Sequence, residues 1–185
     1  MTQFRLSILV LLTLLFAFLI SCDTEDPFSI EPPDFSTVPE PYDTSGVESV
    51  DLQDGVKAYL HEEVYGPFEV TPRDQVAIFM SLWTDDGEII YSTFSSDRIT
   101  PVGVSMSLVG EVQFPNTYSI LLAYAPGLKT GLLGMKAGER RTIVVPPGQA
   151  FQEQNLPEQH PNYQYRNSTL IYDVRISDIG PKKSQ

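Results

Sequence analysis

Two stretches of strict alternation constrain the fold of this chain more than any other feature. From Gln75 to Trp83, Val76, Ile78, Met80 and Leu82 fall on one face, with Ala77, Phe79, Ser81 and Trp83 on the other. Near the C-terminus, Leu170, Tyr172, Val174 and Ile176 face one way and Asp173, Arg175 and Ser177 the other. A period of two is strand geometry. Asp85-Asp86-Gly87 then predicts a hairpin turn, with Glu88–Ser92 as the returning strand. Val56, Ala58 and Leu60 alternate with Lys57, Tyr59 and His61, which predicts a further strand. Val56, Tyr59, Leu60 and Val64 would equally line one face of a short helix, so that segment stays open. One short helix is expected at about Leu128–Met135. Strands packed on one small helix make an α+β domain.

The chain has 185 residues, enough for one domain with a tail. Its net charge of −12 argues against a nucleic-acid partner, because phosphate binding needs clustered Lys and Arg. Much of that charge is local. Asp23, Glu25, Asp26, Glu31, Asp34, Glu40, Asp43 and Glu48 come with no base among them. Pro27, Pro32, Pro33, Pro39 and Pro41 interleave with these acids. Such a composition cannot bury enough apolar surface to offset its ordering entropy, so residues 22–46 are expected to form an extended spacer without stable packing.

Before the spacer, Arg5 precedes an apolar run from Leu6 to Ile20. That run is short for a membrane span, which needs about 20 residues, and suits a secretion signal. It closes on Leu19-Ile20-Ser21-Cys22, which resembles a bacterial lipobox, and Cys22 is the chain's single cysteine. The expected organisation is a signal peptide over 1–21, a lipidated Cys22 opening the 22–46 tether, a domain over 47–180 and a tail over 181–185. The resemblance implies a lipid-anchored protein of the bacterial cell envelope, outside the cytoplasm. One cysteine allows no intrachain disulfide. His61 and His160 have no ligand spacing, so no metal and no cofactor is expected. Asn167-Ser168-Thr169 matches a glycosylation acceptor, without meaning in a bacterial lipoprotein.

The most specific stretch is GLLGMKAGERRTIVVPPGQAF, residues 131–151. Three glycines punctuate an apolar turn, a charged triplet leads into Thr142–Val145, and Pro146-Pro147 stop the strand. Together with DGVKAYLHEEVYGP, DQVAIFMSLWTDDGEIIYST and NSTLIYDVRISDI, in that order, it resembles the FKBP-type peptidyl-prolyl isomerases over about residues 50–179. The resemblance implies a curved antiparallel sheet wrapping one short helix, with an apolar pocket between them. Gly138 is then expected to turn the chain off the helix, and Pro146 and Pro147 to end the strand at the pocket rim.

The same resemblance assigns the catalytic pocket residue by residue. Phe151 stands at the position of a pocket-rim Tyr, and Tyr172 at that of a Phe on the final strand. Ile90 replaces another Phe, and Met80 a Tyr of the first long strand. Leu128 stands where the most active members carry a Trp, and Tyr91 where they carry an Asp. Tyr124 and Ala125 occupy the segment whose backbone binds the substrate carbonyl. Each replacement stays apolar or aromatic, while the polar partners are gone. Residues 94–122 exceed the usual connection and are expected to add a hairpin or flap. The 152–166 loop lacks the family's Gly after the aromatic and its Pro-Pro before the final strand.

Two functions follow. One is prolyl isomerisation of exported proteins, with proline-containing polypeptide segments as partners and the membrane reached through the lipid on Cys22. The other is a non-catalytic peptide-binding or chaperone module of the cell envelope. A purely structural lipoprotein is a third reading, should the resemblance extend to the fold alone.

Overall fold

The computed structural model describes residues 33–106, 112–113, 125–152 and 156–181. The chain divides into two compact units at Pro32/Pro33, and the described residues all belong to the second. The expected signal segment, Cys22 and the first part of the expected spacer lie outside the described residues.

Among the described residues, one eight-stranded antiparallel sheet dominates. Its strands are β1 (Ser49–Asp51), β2 (Lys57–Glu62), β3 (Asp74–Thr84), β4 (Ile89–Ser92), β5 (Val102–Ser105), β6 (Val112–Gln113), β7 (Arg140–Val145) and β8 (Leu170–Pro181). They are ordered β1-β2-β7-β8-β3-β5-β6, with β4 paired to β3 beside that path. The period-two segments became the two long central strands, registered from Asp74–Pro181 to Thr84–Leu170. On their inner face Val76, Ile78, Met80, Leu82, Leu170, Tyr172, Val174 and Ile176 are all buried in one core cluster. Val56 and Ala58 of the third predicted segment are buried, and the strand reading of it holds. Leu60, expected inward with them, is 39% exposed beside the register shift between Leu60 and Glu62. That shift leaves His61 without a strand partner, and a bulge of this kind re-aims side chains.

The helix α1 spans Pro126–Leu132, earlier than expected at both ends. Pro126 occupies the first turn, where a missing N–H costs nothing. The turn off the helix belongs to Gly134 (φ +74°), not to Gly138, which serves a second turn (φ +87°) before β7. Arg141 closes the helix end, its Nη1 donating to the Gly131 carbonyl at 2.8 Å while Nη2 meets buried Glu139 at 2.6 Å. Two glycines set the spacing of helix and sheet. A Cβ at Gly127 would lie 2.4 Å from Val145 Cγ1, and one at Gly131 would lie 2.3 Å from Ile143 Cγ2.

The spacer expectation fails for its second half. Asp34 and Ser96 exchange hydrogen bonds, Asp34 N–H to Ser96 Oγ at 3.1 Å and Ser96 N–H to the Asp34 carbonyl at 2.7 Å. Thr37 Oγ1 donates to the Phe94 carbonyl at 2.8 Å, and the Tyr42 N–H donates to Asp173 Oδ2 at 2.9 Å. A segment too polar to make its own core can still dock on a finished one, because the sheet supplies the surface and the partners. The compact unit therefore begins at Pro33, well before residue 47. At the other end β8 runs through Pro181, one residue into the expected tail.

Candidate active site

The sheet brings the inherited positions together in rows. Across neighbouring strands Ala58, Ile143, Tyr172, Leu82 and Tyr91 stand in register, and Met80 pairs with Val174 in the next row. Ile90 falls between the pairs Leu82–Tyr91 and Trp83–Ile89, at a register shift that leaves it unpaired. This bulge lets Ile90 join the buried cluster beside its neighbour Tyr91, which packs on the cluster's edge. α1 lays Leu128 and the preceding Ala125 onto the same cluster. After β7 a 3-10 turn over Pro147–Gln149 leads to Phe151, also within it.

Met80, Ile90, Leu128, Phe151, Tyr172 and Ala125 thus converge on one apolar cluster, with Tyr91 at its margin. Tyr124 lies outside the described residues. The position of Phe151 is the main departure: expected at a rim, it is 0% exposed and is the largest fully buried side chain among the described residues. Leu128 is likewise 2% exposed. These side chains are part of the domain's core.

The electrostatics match an apolar site. Burial pushes the Tyr91 hydroxyl up to about 12, and it pushes Tyr172 well above the ordinary tyrosine range. Both phenols are neutral at any physiological pH. Tyr165 ties the segment before β8 to the β3–β4 turn, its hydroxyl donating to Glu88 Oε1 at 2.9 Å. Burial and the Glu88 carboxylate together push Tyr165 up to about 12.

The sequence carried no pointer to three other groups. Asn162, fully buried in a 3-10 turn over Pro161–Tyr165, has both side-chain polar atoms without a hydrogen-bond partner. The buried Glu139–Arg141 pair secures the corner between helix and strand. On the outer face of the sheet, Thr142 Oγ1 donates to Asp173 Oδ1 at 2.6 Å, and His61 Nε2 lies 2.8 Å from the same Thr142 oxygen. With the Thr142 proton committed to Asp173, His61 Nε2 acts as the donor. Burial raises Asp173 above the usual carboxylate range, and burial lowers His61. Residues 61, 142 and 173 meet only through the sheet, so no local spacing announces them.

Residues 66–177 match the family profile described as FKBP-type peptidyl-prolyl cis-trans isomerase. Peptidyl-prolyl cis-trans isomerase FKBP9 from Homo sapiens is 26% identical over 151 residues, covering 69% of this chain and 25% of that protein. Its Bos taurus counterpart is 25% identical over 145 residues, covering 66% and 24%. The chain thus spans about a quarter of the length of these relatives. Among solved structures, FkpA from Escherichia coli matches with a TM-score of 0.52 at 22% identity, covering 72% of this chain and 52% of that one. The N-terminal domain of FKBP42 from Arabidopsis thaliana matches with a TM-score of 0.53 at 20% identity, covering 77% and 98%. Those structural likenesses concern the fold. The profile covers more than half of the sequence, and on it this chain belongs to the FKBP-type peptidyl-prolyl cis-trans isomerase family.

Proposed function

We propose that the protein is a prolyl isomerase acting on proline-containing segments of exported polypeptides, held outside the cytoplasm by a lipid on Cys22. The observation that carries the catalytic part is the convergence of Met80, Ile90, Leu128, Phe151 and Tyr172 on one apolar cluster. Rotation about a peptide bond faces a barrier of about 18–20 kcal/mol, and an X-Pro bond crosses it in roughly tens to hundreds of seconds unaided. As the amide twists, resonance and its charge separation fade. Surroundings that exclude water therefore favour the twisted state over the planar one. That mechanism needs no nucleophile, general base or metal.

The experiment is isomerase turnover and peptide binding on a panel of proline tetrapeptides, with the parent and Phe151→Ala compared below the variant's melting transition. Both binding and turnover should fall in the variant. If Phe151→Ala binds and turns over like the parent, this cluster is not the working site. The anchor is tested separately: mass spectrometry should find the mature protein beginning at a lipidated Cys22, and an unmodified Cys22 removes that part of the reading.

A second reading, a peptide-binding module without catalysis, draws on Leu128 and Tyr91. Neither offers the indole or the carboxylate that the most active members carry at those positions. Parent protein that binds the panel without accelerating rotation would establish it.

A further inference from the structure

The strand that brings two of the site residues is a short edge of the described sheet. β4 is four residues long, lies beside the main path and, among the described residues, pairs only with β3, through three register pairs interrupted by the shift at Ile90. Short edge strands of this kind open easily. Beyond β4 the chain makes an excursion to β5 that passes through Ser96 (φ +54°) and Asp97 (φ +56°). Two successive non-glycine residues in the left-handed region store strain, and they persist where the surroundings hold them.

Two devices hold this excursion. From inside, Thr93 imitates a continuing strand: its N–H donates to the Met80 carbonyl at 2.9 Å, and its Oγ1 accepts from Met80 N–H at 3.0 Å. From outside, the segment Pro33–Gly46 acts as a strap. Its first fastening is the reciprocal Asp34–Ser96 pair with the Thr37–Phe94 bond, on the strained turn itself. Its second is the Tyr42 N–H on Asp173, with the Tyr42 ring edge-on to His61 at 5.1 Å. The stack of Phe79 on Phe94 (5.9 Å), with the Arg175 guanidinium over Phe79, joins β3 and β8 to the same turn. Each fastening sits close in sequence to the site: Phe94 follows Ile90 and Tyr91, and Asp173 follows Tyr172.

The geometry points to the Pro33–Gly46 strap as a positioning element of the isomerase site, fastening β4 to β8 from behind so that Ile90 and Tyr91 keep their distance from Tyr172. This rests on the reading of that cluster as the peptide site. Thr37 and Tyr42 are positioning residues in this scheme, since they act through β4 and β8 and touch no substrate.

The test uses the full chain with Asp34→Pro, Thr37→Val and Tyr42→Pro combined, which removes the Asp34 N–H, the Thr37 hydroxyl and the Tyr42 N–H with its ring, and leaves the inner face untouched. Amide exchange at Ser96 reports release. Exchange at Thr93 and the methyl resonances of Ile90 report the wall of the site without any need for turnover. The expected result is exchange at Ser96 and Thr93 faster by about tenfold or more, with shifted Ile90 methyls. KM for a proline tetrapeptide should rise about threefold to tenfold with kcat changed less than about twofold. Excess synthetic peptide spanning residues 33–46 should reverse these changes. Unchanged Thr93 exchange and Ile90 methyls after Ser96 is freed would overturn the proposal, and so would unchanged exchange at Ser96. A parent that neither binds nor turns over proline peptides sinks the isomerase reading, while the Thr93 and Ile90 readouts still decide whether the strap positions β4. Should the triple variant lose its cooperative melt, Thr37→Val against the hydroxyl-keeping Thr37→Ser gives the same comparison, with only the former expected to free Thr93.

Discussion

Replacing Gly131 by Ala sets two effects of known size against each other. In an exposed helix the change would stabilise by at most about 1 kcal/mol, because Gly surrenders more backbone entropy than Ala. Here the new methyl would sit 2.3, 2.6 and 2.7 Å from Cγ2, Cδ1 and Cγ1 of Ile143. Ile143 has no room to yield. It is 0% exposed, β-branched, and held in register between Ala58 and Tyr172. Overpacking of this kind costs about 1–3 kcal/mol, and three contacts this short place it at the upper end. The net expectation is a loss of about 2 kcal/mol, or about 4–8 °C in Tm for a domain of this size. Urea and thermal melts read it directly. A double-mutant cycle with Ile143→Ala isolates the cause: that substitution alone costs about 2–5 kcal/mol, yet in its background Gly131→Ala should become stabilising. The coupling between the two would then be about 3 kcal/mol. A neutral or stabilising Gly131→Ala in the parent, or additive effects in the cycle, would mean that the helix does not ride on Ile143 and would refute the packing argument. Because α1 also carries Leu128, peptide affinity should fall along with stability.

Arg141→Leu should cost about 3–5 kcal/mol in urea melts, since it strands the buried Glu139 carboxylate and uncaps the Gly131 carbonyl; a loss under about 1 kcal/mol would show that Glu139 finds water instead. His61 has a folded pKa below its ordinary 6.5, so its contribution to stability is complete above pH 6.5 and is lost as pH falls through the folded value. Parent stability should therefore drop on acidification below pH 6.5 and His61→Gln should flatten that drop, whereas identical pH curves would remove His61 as its source. Asp173, raised above 3.8, works in the opposite sense, with stability gained on acidification toward 3.8, so the His61 effect should be clearest at the upper end of the range. Isomerase turnover, by contrast, should vary less than about twofold between pH 6 and 8, because Tyr91 and Tyr172 stay neutral throughout and His61 lies on the outer face; a bell-shaped profile centred near 6.5 would contradict it.

Much of where the candidate residues fall in the fold was legible because the patterns that place them are local. The alternation of Val76–Leu82 and Leu170–Ile176 placed Met80 and Tyr172 on the same face of adjacent strands, as observed. The Asp85-Asp86-Gly87 turn set the return of β4, with Gly87 at φ +89°. The boundaries of α1 were open to the same kind of reading. Pro126 and Gly134 mark its start and end by proline's and glycine's helix-terminus preferences. The burial of Phe151 was not legible. The resemblance implied a rim position, and only the closure of helix on sheet puts Phe151 inside.

The long alternating strands, the Asp85–Gly87 turn and the family corner follow from the sequence alone, since each depends on residues a few positions apart whose side-chain directions follow from backbone geometry. The tertiary structure alone decided which polar groups meet. His61, Thr142 and Asp173 become one hydrogen-bonded row through the pairing of β2, β7 and β8. It also decided that the acidic, proline-rich residues 33–46 belong to the domain. Composition reports whether a segment can build a core of its own, which these residues cannot. Docking on a sheet already formed asks for less, a few backbone hydrogen bonds and one aromatic ring, and the partners at Phe94, Ser96 and Asp173 exist only once the strands have assembled.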